Sequence, residues 1–117
     1  MTIKDAIHKA DELRPNPIST DTKVDWLNEL NAQLSEMMDV DMPPALNANS
    51  AVELLMPRPY DSIYTYYLCA MIDNAQEEFN LFNNDMMLYN ASMREALAWW
   101  RRHHKKNSIN AIRGVWH

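Results

Sequence analysis

The stretch YDSIYTYYLCAMIDNAQEEFNLFN, residues 60–83, decides the fold class. Tyr64, Leu68, Met71, Ala75, Phe79 and Phe82 step by threes and fours, which places them on one side of an α-helix. A strand, with its two-residue period, would scatter them over both faces. Ile63, Tyr67 and Ala70 widen that side, so contact on more than one flank is expected, with Phe79 in the core. Asn83-Asn84-Asp85 reads as a turn-and-cap cluster. Beyond it, Met86, Tyr89, Met93, Ala96, Leu97 and Trp100 continue a fourth helix to about His104. The short join predicts an antiparallel hairpin, the alternative being one bent helix.

Working outward, Ile3, Ala6, Ile7, Ala10 and Leu13 recur at helical spacing, and Thr2 with Asp5 approximates a capping box. Pro15 and Pro17 stop this first helix. Ile18-Ser19-Thr20-Asp21 offers caps for a second, whose stripe is Val24, Leu27, Leu30, Leu34 and Met37, ending near Met38. Between Asp39 and Pro59 the periodicity is lost, and Pro43, Pro44, Pro57 and Pro59 exclude continuous helix. Leu54, Leu55 and Met56 are too apolar to be simply solvated there. The segment is expected to pack on its own domain or on a neighbour, as a stiff arm that bears partner contacts. The expectation is an all-α bundle of about four helices with a long central loop and an extended C-terminal tail: a helical domain over residues 1–104 and a basic tail over 105–117.

With 117 residues, 47% of them apolar, one core is expected, and no run approaches the roughly 18 apolar residues of a membrane span. No basic-then-apolar leader is present at the N-terminus, so a soluble chain made in a cytoplasm is expected. The lone Cys69 lies in an apolar helix and reads as a buried, inert thiol. A single glycine, Gly114, argues against phosphate-cradling loops and dinucleotide fingerprints. Nine Met and four Trp suit helical cores and subunit interfaces alike. Residues 1–93 hold 15 acids against five Lys or Arg, a balance of −10, whereas residues 94–117 hold six bases against Glu95, a balance of +5. An acidic body with a basic tail suggests self-association or docking to an acidic partner, although exposed tails are often basic for no such reason.

Chemistry-bearing constellations are sparse. His103 and His104 are consecutive, so on a helix they diverge by roughly 100° and share a metal poorly. Cys69 sits in an apolar helix with no histidine one helical turn away, and Asp11 with Glu12 and Glu77 with Glu78 read as ordinary helix surface. No metal, cofactor or catalytic residue is therefore expected, and no enzymatic activity. Trp99-Trp100-Arg101-Arg102-His103-His104-Lys105-Lys106 mixes aromatic and basic groups as a nucleic-acid surface would. The acidic body would repel that polyanion and Trp100 falls on the core stripe, so protein docking is preferred.

Four strings carry a resemblance: ADELRPNP at residues 10–17, KVDWLNEL at 23–30, LLMPRPYD at 54–61 and YTYYL at 64–68, followed by Asn83-Asn84 and Tyr89-Asn90. In this order, over about residues 1–103, they resemble the head-tail connector (adaptor) proteins of the neck of tailed bacteriophages. The resemblance implies an all-α virion protein that forms a homo-oligomeric ring, a dodecamer, beneath the portal. Such a ring meets tail or neck completion proteins and extends the channel through which genomic DNA passes without sequence-specific binding; no membrane is involved.

The tail from Lys105 onward lies outside the matching strings. Lys105, Lys106 and Arg113 beside Ile109, Ile112, Val115 and Trp116 combine charge steering with apolar anchors, and are expected to grip an acidic portal surface. The acidic body would then face sliding DNA without adhering to it. Two other functions stay open: a small helical DNA-binding packaging protein, disfavoured because the third helix carries Asp73, Glu77 and Glu78 without one Lys or Arg, and a host-directed regulatory binding protein of the same composition.

Overall fold

The computed structural model describes residues 1–104, and the tail assignments to Lys105, Lys106, Ile109, Ile112, Arg113 and Trp116 lie outside them. The described residues form four α-helices and no strand: α1 Ile3–Leu13, α2 Thr20–Met38, α3 Ser62–Ala75 and α4 Phe79–His104. The all-α reading holds.

The N-termini of α1 and α2 form as their side chains dictate. Thr2 Oγ1 accepts from the Asp5 amide while Asp5 Oδ2 accepts from the Thr2 amide, both at 3.2 Å, completing the capping box. Ser19 Oγ caps α2 by accepting from the Thr22 amide at 3.2 Å.

Two helices end in the same device. In α2, Asp39 is left-handed (φ 55°), its amide bonds to Glu36 O, and the Val40 amide bonds to Ser35 O. In α3, Glu77 is left-handed (φ 60°), its amide bonds to Asn74 O, and the Glu78 amide bonds to Asp73 O. Both are Schellman caps, which ordinarily place glycine at the left-handed position. This glycine-poor chain uses acids instead.

The cap at Glu77 corrects the expected hairpin. Helices α3 and α4 pair antiparallel, but they turn at Gln76, Glu77 and Glu78, and Asn83-Asn84-Asp85 lies within continuous α4. Asn83 and Asn84 occupy the exposed side of α4, whereas Asp85 is buried against Arg14 and needs no turn to satisfy it. Phe79 consequently opens α4 and is 56% exposed, not a core residue. Leu13 and Met37, also assigned to stripes, stand exposed at the ends of α1 and α2.

The core draws on all four helices. Ile3, Ala6, Ile7 and Ala10 of α1, Leu27, Leu30 and Leu34 of α2, Ile63, Tyr64, Leu68 and Ile72 of α3, and Met93, Ala96 and Leu97 of α4 are buried together. Leu54 (3% exposed) and Met56 (fully buried) join them from the central loop.

Candidate interaction surfaces

Residues 39–61 form a strap fastened to the bundle by side chains rather than by its own secondary structure. Asn28 holds Leu46 at both ends of its amide: its Nδ2 donates to Leu46 O at 2.8 Å and its Oδ1 accepts from the Leu46 amide at 2.9 Å. The buried Asn31 Oδ1 accepts from the Leu55 amide at 3.1 Å and from the Tyr64 hydroxyl at 3.2 Å. That hydroxyl in turn accepts from the Met56 amide at 2.8 Å. The Leu54 amide donates to Met1 O at 2.8 Å, and the Met1 ammonium pairs with Glu53 and Asp61. Burial raises the Tyr64 phenol well above its usual range, so it stays neutral and serves as a relay between loop and core.

This fastening corrects the partner role given to Leu54 and Met56. Both are interior, because the strap turns its apolar side inward where no helix covers the seam between α1, α2 and α3. Leu55 is half-buried on the rim of a cleft of about 1040 Å³, which also meets His8, Lys9, Glu53 and Arg58. Its charges alternate in sign, so it selects neither anion nor cation.

At one end of the bundle, Arg14 joins three helices. Its Nε donates to Asp73 Oδ1 of α3 at 3.1 Å, and its Nη2 donates to Asp85 Oδ1 and Oδ2 of α4 at 3.2 and 3.1 Å. Both carboxylates are buried, and Asp73 Oδ2 has no hydrogen-bond partner. One guanidinium thus faces two acids. Burial first, then the neighbouring Asp85, lifts the Asp73 carboxyl to about 7 against the opposing pull of Arg14. Cys69, close by, is buried as expected, and burial holds its thiol protonated, at about 11.

At the opposite end, the aromatic and basic cluster is largely turned to internal use. The Trp100 indole donates to Met38 O at 2.8 Å, fastening α4 to the end of α2. Trp99 stacks on Tyr60 with centroids 5.0 Å apart, and the His104 ring lies over Trp100. The Nδ1 atoms of His103 and His104 lie 2.9 and 3.1 Å from the carbonyls of Trp99 and Trp100, one helical turn back. Rings committed in this way are poor stacking platforms for bases. Arg94, Arg101 and Arg102 remain exposed.

The surface that the sequence reading missed lies on the first half of α4. Phe79 (56%), Leu81 (40%), Met87 (72%) and Leu88 (42%) are exposed, next to the exposed Glu77 and Glu78. The signal was available: residues 79, 81, 82, 86, 87 and 88 are apolar on more sides of the helix than its hairpin partner α3 can cover.

Among the described residues, no group of three or more His, Cys, Asp or Glu side chains is placed to hold a metal ion, and no helix is long and apolar enough to cross a membrane. Comparison with protein-family models, curated proteins and solved structures found no match.

Proposed function

We propose that this chain is a structural subunit of a phage virion neck, a head-tail connector that assembles as a ring on the portal and extends the DNA channel towards the tail. The observation that carries the reading is the exposed apolar half of α4. A 26-residue helix that leaves Phe79, Leu81, Met87 and Leu88 uncovered on a bundle with a complete core of its own is built to meet another protein surface. The ordered strings resembling connector proteins supply the kind of assembly, and with it the portal and the tail or neck completion proteins as partners.

Charge supports the same reading. Residues 59–93 carry five acids and no Lys or Arg. Asp73 and Asp85 are buried against Arg14 and Asp61 pairs with the Met1 ammonium, which leaves Glu77 and Glu78 exposed, and a stretch without bases offers phosphates no cations from which to gain by counterion release. A packaging protein that grips DNA would need the reverse. Negative-stain imaging of the full chain mixed with portal protein tests the proposal: an added ring of density coaxial with the portal is expected, and bare portals at saturating concentration would overturn it. Duplex binding that persists at physiological salt would favour the packaging reading instead.

A further inference from the structure

We propose that residues 105–117 of one copy dock on the acidic, apolar tip of a second copy, formed by the turn at Gln76, Glu77 and Glu78 and the first half of α4. This deepens the ring-forming part of the proposed function.

The two surfaces match in chemistry. The tip presents Phe79, Leu81, Met87 and Leu88 beside Glu77 and Glu78, in a stretch without any base. The segment after His104 carries Lys105, Lys106 and Arg113 with Ile109, Ile112, Val115 and Trp116, and no acid. Opposite charges would steer the encounter and the apolar groups would hold it, with Trp116 as the large anchor.

Geometry sets the anchors and the charges, taken together, on a neighbour's tip and not on the chain's own. The segment leaves the C-terminal end of α4, whereas the tip is at its N-terminal end. From Phe79 to His104 is 25 residue steps of helix, about 38 Å. Fully extended from His104, the chain carries Ile109 at most about 18 Å and Ile112 about 29 Å, so neither reaches Phe79 of its own molecule. Trp116 arrives only at full stretch, about 43 Å, although Ile112 and Trp116 can each reach the nearer Leu88, about 24 Å from His104. Lys105 and Lys106 stay within about 7 Å of His104, tens of ångströms from Glu77 and Glu78 and far beyond the roughly 8 Å over which salt leaves charges coupled. A second copy has no such limit and can seat the anchors and the charges together. Because the donor and acceptor surfaces lie at opposite ends of one molecule, the contact is head-to-tail, the kind that closes into rings when its rotation allows.

Two full-length variants test this without portal. One disables the segment, Ile112→Ala with Trp116→Ala; the other disables the tip, Phe79→Lys with Leu88→Lys. Phe79 and Leu88 are exposed and Ile112 and Trp116 lie outside the described residues, and unchanged thermal melts would verify that both variants are folded. In sedimentation velocity at submillimolar concentration, the unaltered chain is expected to form higher oligomers, and each variant alone to associate at least ~10-fold more weakly. Mixed together, the variants retain one working segment and one working tip between them, so the mixture should form dimers and stop there. Monomers only in that mixture, variants that associate as well as the unaltered chain, or an unaltered chain that never self-associates would each overturn the proposal. The last result alongside coaxial rings on portal would leave the connector reading standing, whereas dimers in the mixture without portal binding would remove the connector reading alone.

Discussion

Arg14 reaches across 71 positions of sequence to grip both oxygens of Asp85 at 3.1 and 3.2 Å, and the same guanidinium holds Asp73. This clasp locks the end of α1 to the α3–α4 hairpin just beneath the exposed tip. Its removal should be costly, because Arg14→Met strands two buried carboxylates without a counter-charge. A loss of about 3–5 kcal/mol in urea unfolding is expected, and a loss under about 1 kcal/mol would show the clasp to be peripheral.

The clasp also sets a pH dependence. Asp73 binds its proton more tightly folded, at about 7, than unfolded, near 3.8. Its contribution is therefore most favourable below the unfolded value and is lost as pH rises through the folded one. Asp73→Asn removes the excess charge while leaving Arg14 paired with Asp85. Relative to the unaltered chain, the variant should gain stability between pH 5 and pH 8; urea midpoints that move in parallel over that window would contradict the sharing of one cation by two acids.

The strap and the tip give opposite expectations for two apolar truncations. Met56 is fully buried in a segment without secondary structure, so Met56→Ala should lose about 2–5 kcal/mol. Phe79 sits in a helix yet is 56% exposed, and Phe79→Ala should cost well under about 1 kcal/mol. Thermal or urea melts that rank the two the other way round would show the strap and the hairpin turn to be misplaced.

Glu77 is left-handed at a Schellman position where side chains are disfavoured. Glu77→Gly should stabilise by about 0.5–1 kcal/mol, the relief of strain outweighing the added freedom of the unfolded chain. A destabilised variant would indicate that the Glu77 side chain contributes to folding in its own right.

The sequence revealed most of the architecture because helical periodicity and capping are local. Thr2, Asp5 and Ser19 begin helices as their side chains require, and the α2 and α4 stripes are buried largely as spaced. The hairpin turn was misjudged because two rules gave conflicting signals. Asn83-Asn84-Asp85 has the composition of a turn, whereas Gln76-Glu77-Glu78 has that of a helix, and the Schellman bonds that favour the latter depend on backbone geometry no residue type announces. The pairing of Asp73 and of Asp85, which was read as part of the turn cluster, was not legible, since their partner Arg14 lies 59 and 71 residues away. Leu54 and Met56 were recognised as too apolar for solvent, but whether such residues turn inward or towards a partner depends on tertiary hydrogen bonds from Asn28, Asn31 and Tyr64.

The central claim, a ring-forming connector, is tested most directly by native mass spectrometry of the full chain, alone and with portal protein. The expected result is one closed assembly whose mass is a fixed multiple of the 13.7 kDa subunit, with the dodecamer implied by the connector resemblance, free or bound to portal. A 13.7 kDa monomer at every concentration, with no complex formed on portal, would contradict it.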